Sequence, residues 1–137
     1  MSYLLDTNVV SELRTGKKQP SAAVRSWAAH FPAEQFYLSA VVLLELWLGY
    51  ELKARSDAPQ AASLKIWIEG LEAAYDGRTL PFTARGARLC APLHVPNPRA
   101  WRDSVIAATA LEHGMTLVTR NVRDFAGTGV RLIDPFV

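Results

Sequence analysis

Short apolar runs alternate with longer stretches of helical spacing along the whole chain. Tyr3-Leu4-Leu5 reads as a buried strand stopped by Asp6. Thr7 and Asn8 supply turn or cap chemistry, and a short helix is expected through Leu13. Gly16-Lys17-Lys18-Gln19-Pro20 is a loop, Ser21 to His30 a helix, and Gln35 to Leu38 a second strand. Ser39 suits the N-cap of a helix from Ala40 to about Ala54. That helix is apolar nearly all round, with Val42, Leu43, Leu44, Leu46, Trp47, Leu48 and Tyr50, so it is expected to be buried or to lie in an interface. Ser56 to Pro59 breaks it. Leu64, Trp67, Ile68, Leu71 and Tyr75 then keep an i, i+3, i+4, i+7 spacing on a helix from about Gln60. Arg78 to Pro81 is a short strand, and Thr83 opens a helix to about Leu89 or Ala91. Asn97 as a cap and Pro98 at the first helical position predict a helix from Arg99 or Ala100 to His113, stopped by Gly114. Met115 to Thr119 and Val130 to Ile133 are the last strands, separated by a turn at Arg120 to Asp124. Such alternation predicts a three-layer α/β/α domain with a mainly parallel central sheet. Active sites of such sheets gather at the carboxyl ends of the strands.

Size and composition narrow the class. The 137 residues fit one domain, and 50% are apolar against 20% charged, which excludes a disordered tail. The single cysteine, Cys90, excludes a disulfide framework and a Cys-based zinc site, and reads as a small buried hydrophobe. Asp6 follows the first residues so closely that no secretory signal is legible there. The apolar stretch Ala40 to Tyr50 is broken by Glu45 and too short to span a bilayer. A soluble cytoplasmic protein is expected.

Four acids stand where ordinary packing does not explain them. Asp6 ends an apolar strand, and Asp124 follows another; capping and turn roles are the plain alternatives. Glu45 shares its helical face with Val41, Val42, Leu48, Gly49 and Leu52. Asp103 shares its face with Ile106, Ala107, Ala110 and Leu111. An acid in such company needs a cation, because a buried unpaired carboxylate costs several kcal/mol or takes up a proton. One candidate is an arginine, with Arg102, Arg120 or Arg123 as partners. The other is a shared divalent metal. Two carboxylates about 4 Å apart repel by roughly 4 kcal/mol at an effective dielectric of 20, and a dication reverses that sign. Oxygen-only ligands select magnesium or manganese over zinc. His30, His94 and His113 lie in unrelated segments and form no competing cluster.

Four blocks in order resemble the PIN-domain ribonucleases. Leu4-Leu5-Asp6-Thr7-Asn8-Val9-Val10-Ser11-Glu12 resembles their opening, and Ser39 through Glu45-Leu46 and Gly49 their second motif. Asp103 with Ile106-Ala107-Ala108-Thr109-Ala110 resembles the third. Leu117-Val118-Thr119-Arg120-Asn121 with Asp124-Phe125 resembles the fourth. The blocks span residues 4 to 125, and the opening is most similar to the VapC/FitB toxins of toxin–antitoxin pairs. That resemblance implies a Mg²⁺- or Mn²⁺-dependent endoribonuclease restrained by an antitoxin. It also implies a homodimer that meets operator DNA through the antitoxin complex. Asp6, Glu45, Asp103 and Asp124 would form its acidic cluster, with Asp124 acting through water. Thr7, Asn8, Thr119 and Asn121 match polar positions that orient the acids, although capping and turn roles stay open for Asn8 and Asn121. Ala58 to Pro98 carries no catalytic motif.

Under that reading the proposed reaction is phosphodiester hydrolysis that leaves 5′-phosphate and 3′-hydroxyl ends. The net charge of +2 then gains meaning. Setting four ligands apart from the thirteen acids leaves nine against fifteen cations, a surplus of six suited to a polyanion. Arg14, Lys17, Lys18, Arg85, Arg88, Arg99, Arg102, Arg120 and Arg123 are the candidates for RNA contact, each with a plain solvated role as alternative. Core or subunit contact is the expectation for Trp47 and Trp67, ahead of base stacking. The Ala40–Ala54 helix and the Leu64–Tyr75 stripe offer apolar surface for a second subunit or an antitoxin. A receiver domain would want adjacent acids after its first strand, and an aspartyl-phosphate phosphatase a second Asp where Asn8 stands. A PIN-like module that binds RNA or protein without cutting is the remaining rival.

Overall fold

The computed structural model describes all residues, Met1–Val137. Its centre is β1 (Tyr3–Leu5), a short run buried at every position. The other strands are β2 (Phe36–Ser39), β3 (Thr79–Leu80), β4 (Thr116–Val118) and β5 (Leu132–Ile133). They form one sheet in the order β3-β2-β1-β4-β5. Every pairing is parallel, with Leu4 beside Tyr37 on one flank and Leu117 on the other. Buried on both faces, the central strands read as continuous apolar runs without alternation.

Six helices connect the strands: α1 (Thr7–Glu12), α2 (Ala22–Ala29), α3 (Ala40–Ala54), α4 (Ala58–Ala74), α5 (Ala84–Cys90) and α6 (Trp101–His113). Their starts are mostly fixed by side chains that satisfy orphan N–H groups. Ser21, Ser39, Asp57 and Thr83 accept from the backbone three residues on, and Asp6 accepts from Thr7. Gly114 ends α6 in the left-handed region, at φ 63°, where a side chain would strain the backbone. The core gathers Leu4, Leu5, Leu38, Ile68, Ile106, Leu117 and Phe125, all essentially inaccessible, and Cys90 is buried as expected. Tyr3, Trp27, Phe31 and Phe36 close one end as an aromatic cluster.

Two expected helix starts differ. The helix does break after Ala54 as expected, but α4 begins at Ala58 rather than near Gln60, because Pro59 sits in its first turn behind the Asp57 cap, where a missing N–H costs nothing. Asn97 and Pro98 do not open α6, which starts at Trp101 without a side-chain cap. The preceding segment is held out of the helix by Arg99. Its backbone N–H donates to His94 Nδ1 at 3.4 Å, and its Nε donates to the Leu93 carbonyl at 3.0 Å. Short 3-10 turns at Ala33–Gln35, Ala91–His94 and Val122–Phe125 complete the chain.

Candidate active site

From β1 the chain builds outward to β2 and β3 on one side, and β4 and β5 continue the sheet on the other. The reversal of strand order lies between β1 and β4, and a crevice opens at such a point outside the carboxyl ends. Asp6 is the first residue past β1. Its N–H donates to the Val118 carbonyl at 2.9 Å, which continues the β1–β4 ladder and fixes the carboxylate at the crevice. One carboxylate oxygen accepts from the Thr7 N–H at 2.7 Å, capping α1. The other accepts from Thr119 Oγ1, also at 2.7 Å. Asp6 and Thr119 are both fully buried.

Two helices bring further acids to this point. Ser39 starts α3 at the carboxyl end of β2, and Glu45 stands on its second turn. Glu45 accepts from Thr7 Oγ1 at 2.6 Å. Asp103 lies in the first turn of α6, on the side where the helix dipole favours an anion.

The guanidinium of Arg102 lies among the three carboxylates. Its Nε and Nη2 donate to the two oxygens of Glu45, each at 2.8 Å, in a bidentate fork. Its Nη1 donates to Asp103 at 3.0 Å, and Nη2 also donates to Asp6. Burial opposes the charge on Glu45, but the hydrogen bonds from Arg102 and Thr7 outweigh it and hold its carboxyl below the usual range. Burial likewise works against the Arg102 cation, and its bonds to Glu45 and Asp6 overcome that and raise its pKa. One positive charge faces three negative ones, so the cluster keeps a deficit of two.

Of the two cations weighed for these acids, the arginine is therefore in place. No three acidic, histidine or cysteine side chains are arranged to hold a metal ion as they stand. A planar guanidinium spreads its partners more widely than a point cation does. The donor set nevertheless suits a hard dication: every donor is a carboxylate oxygen, and two threonine hydroxyls hold Asp6 and Glu45 in orientation.

Asp124 is not brought into this cluster. It is exposed, on the Val122–Phe125 turn, in a shallow cleft with Arg120, Asn121, Arg123 and Asp134. Arg99 ties that turn down, donating to the Asp124 carbonyl at 3.4 Å and the Ala126 carbonyl at 2.8 Å. The Thr7 hydroxyl donates to Glu45 and the Thr119 hydroxyl to Asp6. Asn8 instead accepts from the Arg120 N–H at 3.1 Å, pinning the loop after β4. Asn121 contributes its backbone N–H to Thr119 Oγ1 at 3.0 Å rather than its side chain.

The arginines divide in the same way. Arg99 is engaged by carbonyls, Arg102 by the acids, and Arg120 lies over the Phe136 ring, while Arg123 is exposed beside Asp124. Arg14 borders a cleft of about 320 Å³ that begins at Thr7 and Glu45 and runs past Ser11, Lys17, Gly49 and Trp67. Its guanidinium lies 5.3 Å over the Trp67 ring and donates to Ser63 at 3.1 Å. A second cleft of about 630 Å³ continues along Arg14, Lys17 and Lys18 to Gln60 and Ser63 at the start of α4. The Lys17-Lys18 pair in the sequence signals this basic wall, whereas the role of Trp67 as its floor has no sequence signature apart from the apolar stripe.

The PIN domain family model matches residues 3–129. The chain is 34% identical over 139 residues to VapC ribonuclease Y4jK of Sinorhizobium fredii, covering 97% of this chain and 96% of that one. It is 31% identical to Toxin FitB of Neisseria gonorrhoeae, with 97% of each chain covered. The crystal structure of FitAcB from Neisseria gonorrhoeae superposes with a TM-score of 0.86 at 33% identity, covering 98% of both chains. A structure of FitAB bound to an IR36 DNA fragment gives 0.88 at 32% identity, over 98% of this chain and 96% of that one.

Proposed function

Because this chain belongs to the PIN-domain family, we propose that it is an endoribonuclease, the toxin of a toxin–antitoxin pair, which hydrolyses RNA phosphodiester bonds with Mg²⁺ or Mn²⁺. The observation that carries this reading is the meeting of Asp6, Glu45 and Asp103, from three separate elements, around one cation at the sheet's reversal point. The relatives named a ribonuclease and a toxin lend the activity and the role.

Asp6, Glu45 and Asp103 would hold the metal, and Asp124, on the exposed turn after β4, would act through water. When bound, the ion supplies Lewis-acid polarisation of the scissile phosphate and acidification of an attacking water. The chain's own groups prepare the place. Thr119 and the Thr7 N–H fix both oxygens of Asp6, and the Thr7 hydroxyl holds Glu45. Arg14, Lys17 and Lys18 line the path by which an RNA backbone approaches. Arg120 and Arg123 line a separate cleft with Asp124.

The partners follow from the same reading: an antitoxin protein, a second copy of this chain, and operator DNA through the antitoxin complex. No helix is long and apolar enough to cross a membrane, and the cytoplasm is the proposed compartment.

A PIN-like module that binds without cutting is the second reading, and the Arg102 clasp favours it. Incubation of purified protein with RNA and Mg²⁺ separates the two. Cleavage by the wild type should fall at least about a hundredfold in Asp6→Asn and Asp103→Asn, with both variants folded by circular dichroism. Equal cleavage in all three would assign the activity to a contaminant and leave the binding module.

A further inference from the structure

Four of the six carboxylate oxygens of Asp6, Glu45 and Asp103 accept hydrogen bonds from Arg102. A fifth, on Asp6, is held by Thr119. A magnesium-sized ion requires oxygens at about 2.0–2.1 Å in near-octahedral order, which a guanidinium bonded to the same atoms prevents. Arg102 lies beside Asp103 on the first turn of α6, and its side chain is 29% exposed, so its flexible stem has an exit toward solvent.

We propose that Arg102 is a resident counter-ion that a divalent cation displaces from Asp6, Glu45 and Asp103 on binding. The inference rests on the metal-dependent reading of this site. Charge gives the direction: replacing one positive charge by two lowers the deficit of the three acids from two to one. Competition sets the affinity. A site filled by its own arginine binds metal more weakly, in proportion to the fraction of molecules in which that arginine has left. Removing the side chain therefore has opposite effects on two properties. The metal-free protein loses stability, because three carboxylates are left facing one another. Metal affinity rises. A purely structural arginine would lower both.

The test is Mn²⁺ titration of the full chain, followed by electron paramagnetic resonance of free Mn²⁺, for wild type, Arg102→Met and Arg102→Lys. Arg102→Met should bind Mn²⁺ roughly tenfold more tightly or better. Its metal-free melting temperature should be lower than wild type and its gain on Mn²⁺ addition larger. Arg102→Lys keeps one charge but does not span three acids, so it should show a smaller increase in affinity. It carries the comparison if Arg102→Met does not fold. Equal or weaker Mn²⁺ binding by the folded variants overturns the displacement and leaves the nuclease reading standing. No Mn²⁺ binding by wild type or by either variant overturns both.

Discussion

Asp6 combines two roles that its sequence position presents as alternatives. One oxygen caps α1 while the other faces Thr119, and the same carboxylate meets Arg102. Glu12, by contrast, stands in the opening motif without a role legible from sequence. It pairs with Lys17 and accepts from the Ser21 N–H at 2.8 Å, closing the loop between α1 and α2. The hydrogen bond from Lys17, then that from Ser21, holds its carboxyl below the usual range. A depressed folded-state pKa means stability that is present above the unfolded value and lost as pH falls through the folded one. Glu12→Gln should therefore be less stable than wild type in urea at pH 6, with the difference shrinking toward pH 3. A difference independent of pH would remove this role. The acids were legible because each breaks an apolar pattern. The choice of Arg102 over Arg120 or Arg123 was not, since it depends on where α6 begins.

At the scale of elements, most helices and strands follow from local chemistry. Ser39 caps α3 as its position implies, accepting from the Val42 N–H at 3.2 Å. Ser39→Ala should lower stability by about 1 kcal/mol, the usual value of such a cap, measured by urea unfolding with an unchanged slope. A change within error would show that α3 is held by packing alone. The start of α6 is not legible in the sequence because Arg99 reaches the nearby carbonyl of Leu93 and the distant one of Ala126, contacts that override the Asn97-Pro98 signal. The break between α3 and α4 falls where Ser56 to Pro59 signals it, and Pro59 belongs to the first turn of α4 because Asp57 caps that helix. Arg99 also bonds the backbone of the turn that carries Asp124, which stands outside the clasp.

At the scale of the molecule, strand alternation was enough to foresee a parallel sheet, and the order β3-β2-β1-β4-β5 explains why the crevice lies beside β1. The surface was only partly legible. The α3 helix is apolar nearly all round, but its faces differ: Val42 and Leu46 are buried, while Leu44, Leu48 and Leu52 are 64%, 53% and 58% exposed. That stripe at every fourth residue is the surface expected to meet a second copy. Light scattering of the isolated chain should give a dimer, and Leu48→Glu a monomer. A monomeric wild type would leave the stripe to the antitoxin.

The central claim is that Asp6, Glu45 and Asp103 form a site for a hard divalent cation. Anomalous scattering from a crystal grown with Mn²⁺ tests it most directly. The expected result is a peak bonded to oxygens of Asp6 and Asp103, with the Arg102 guanidinium drawn away from them. A map with no peak there at saturating Mn²⁺, and Arg102 still bridging the three carboxylates, would contradict it.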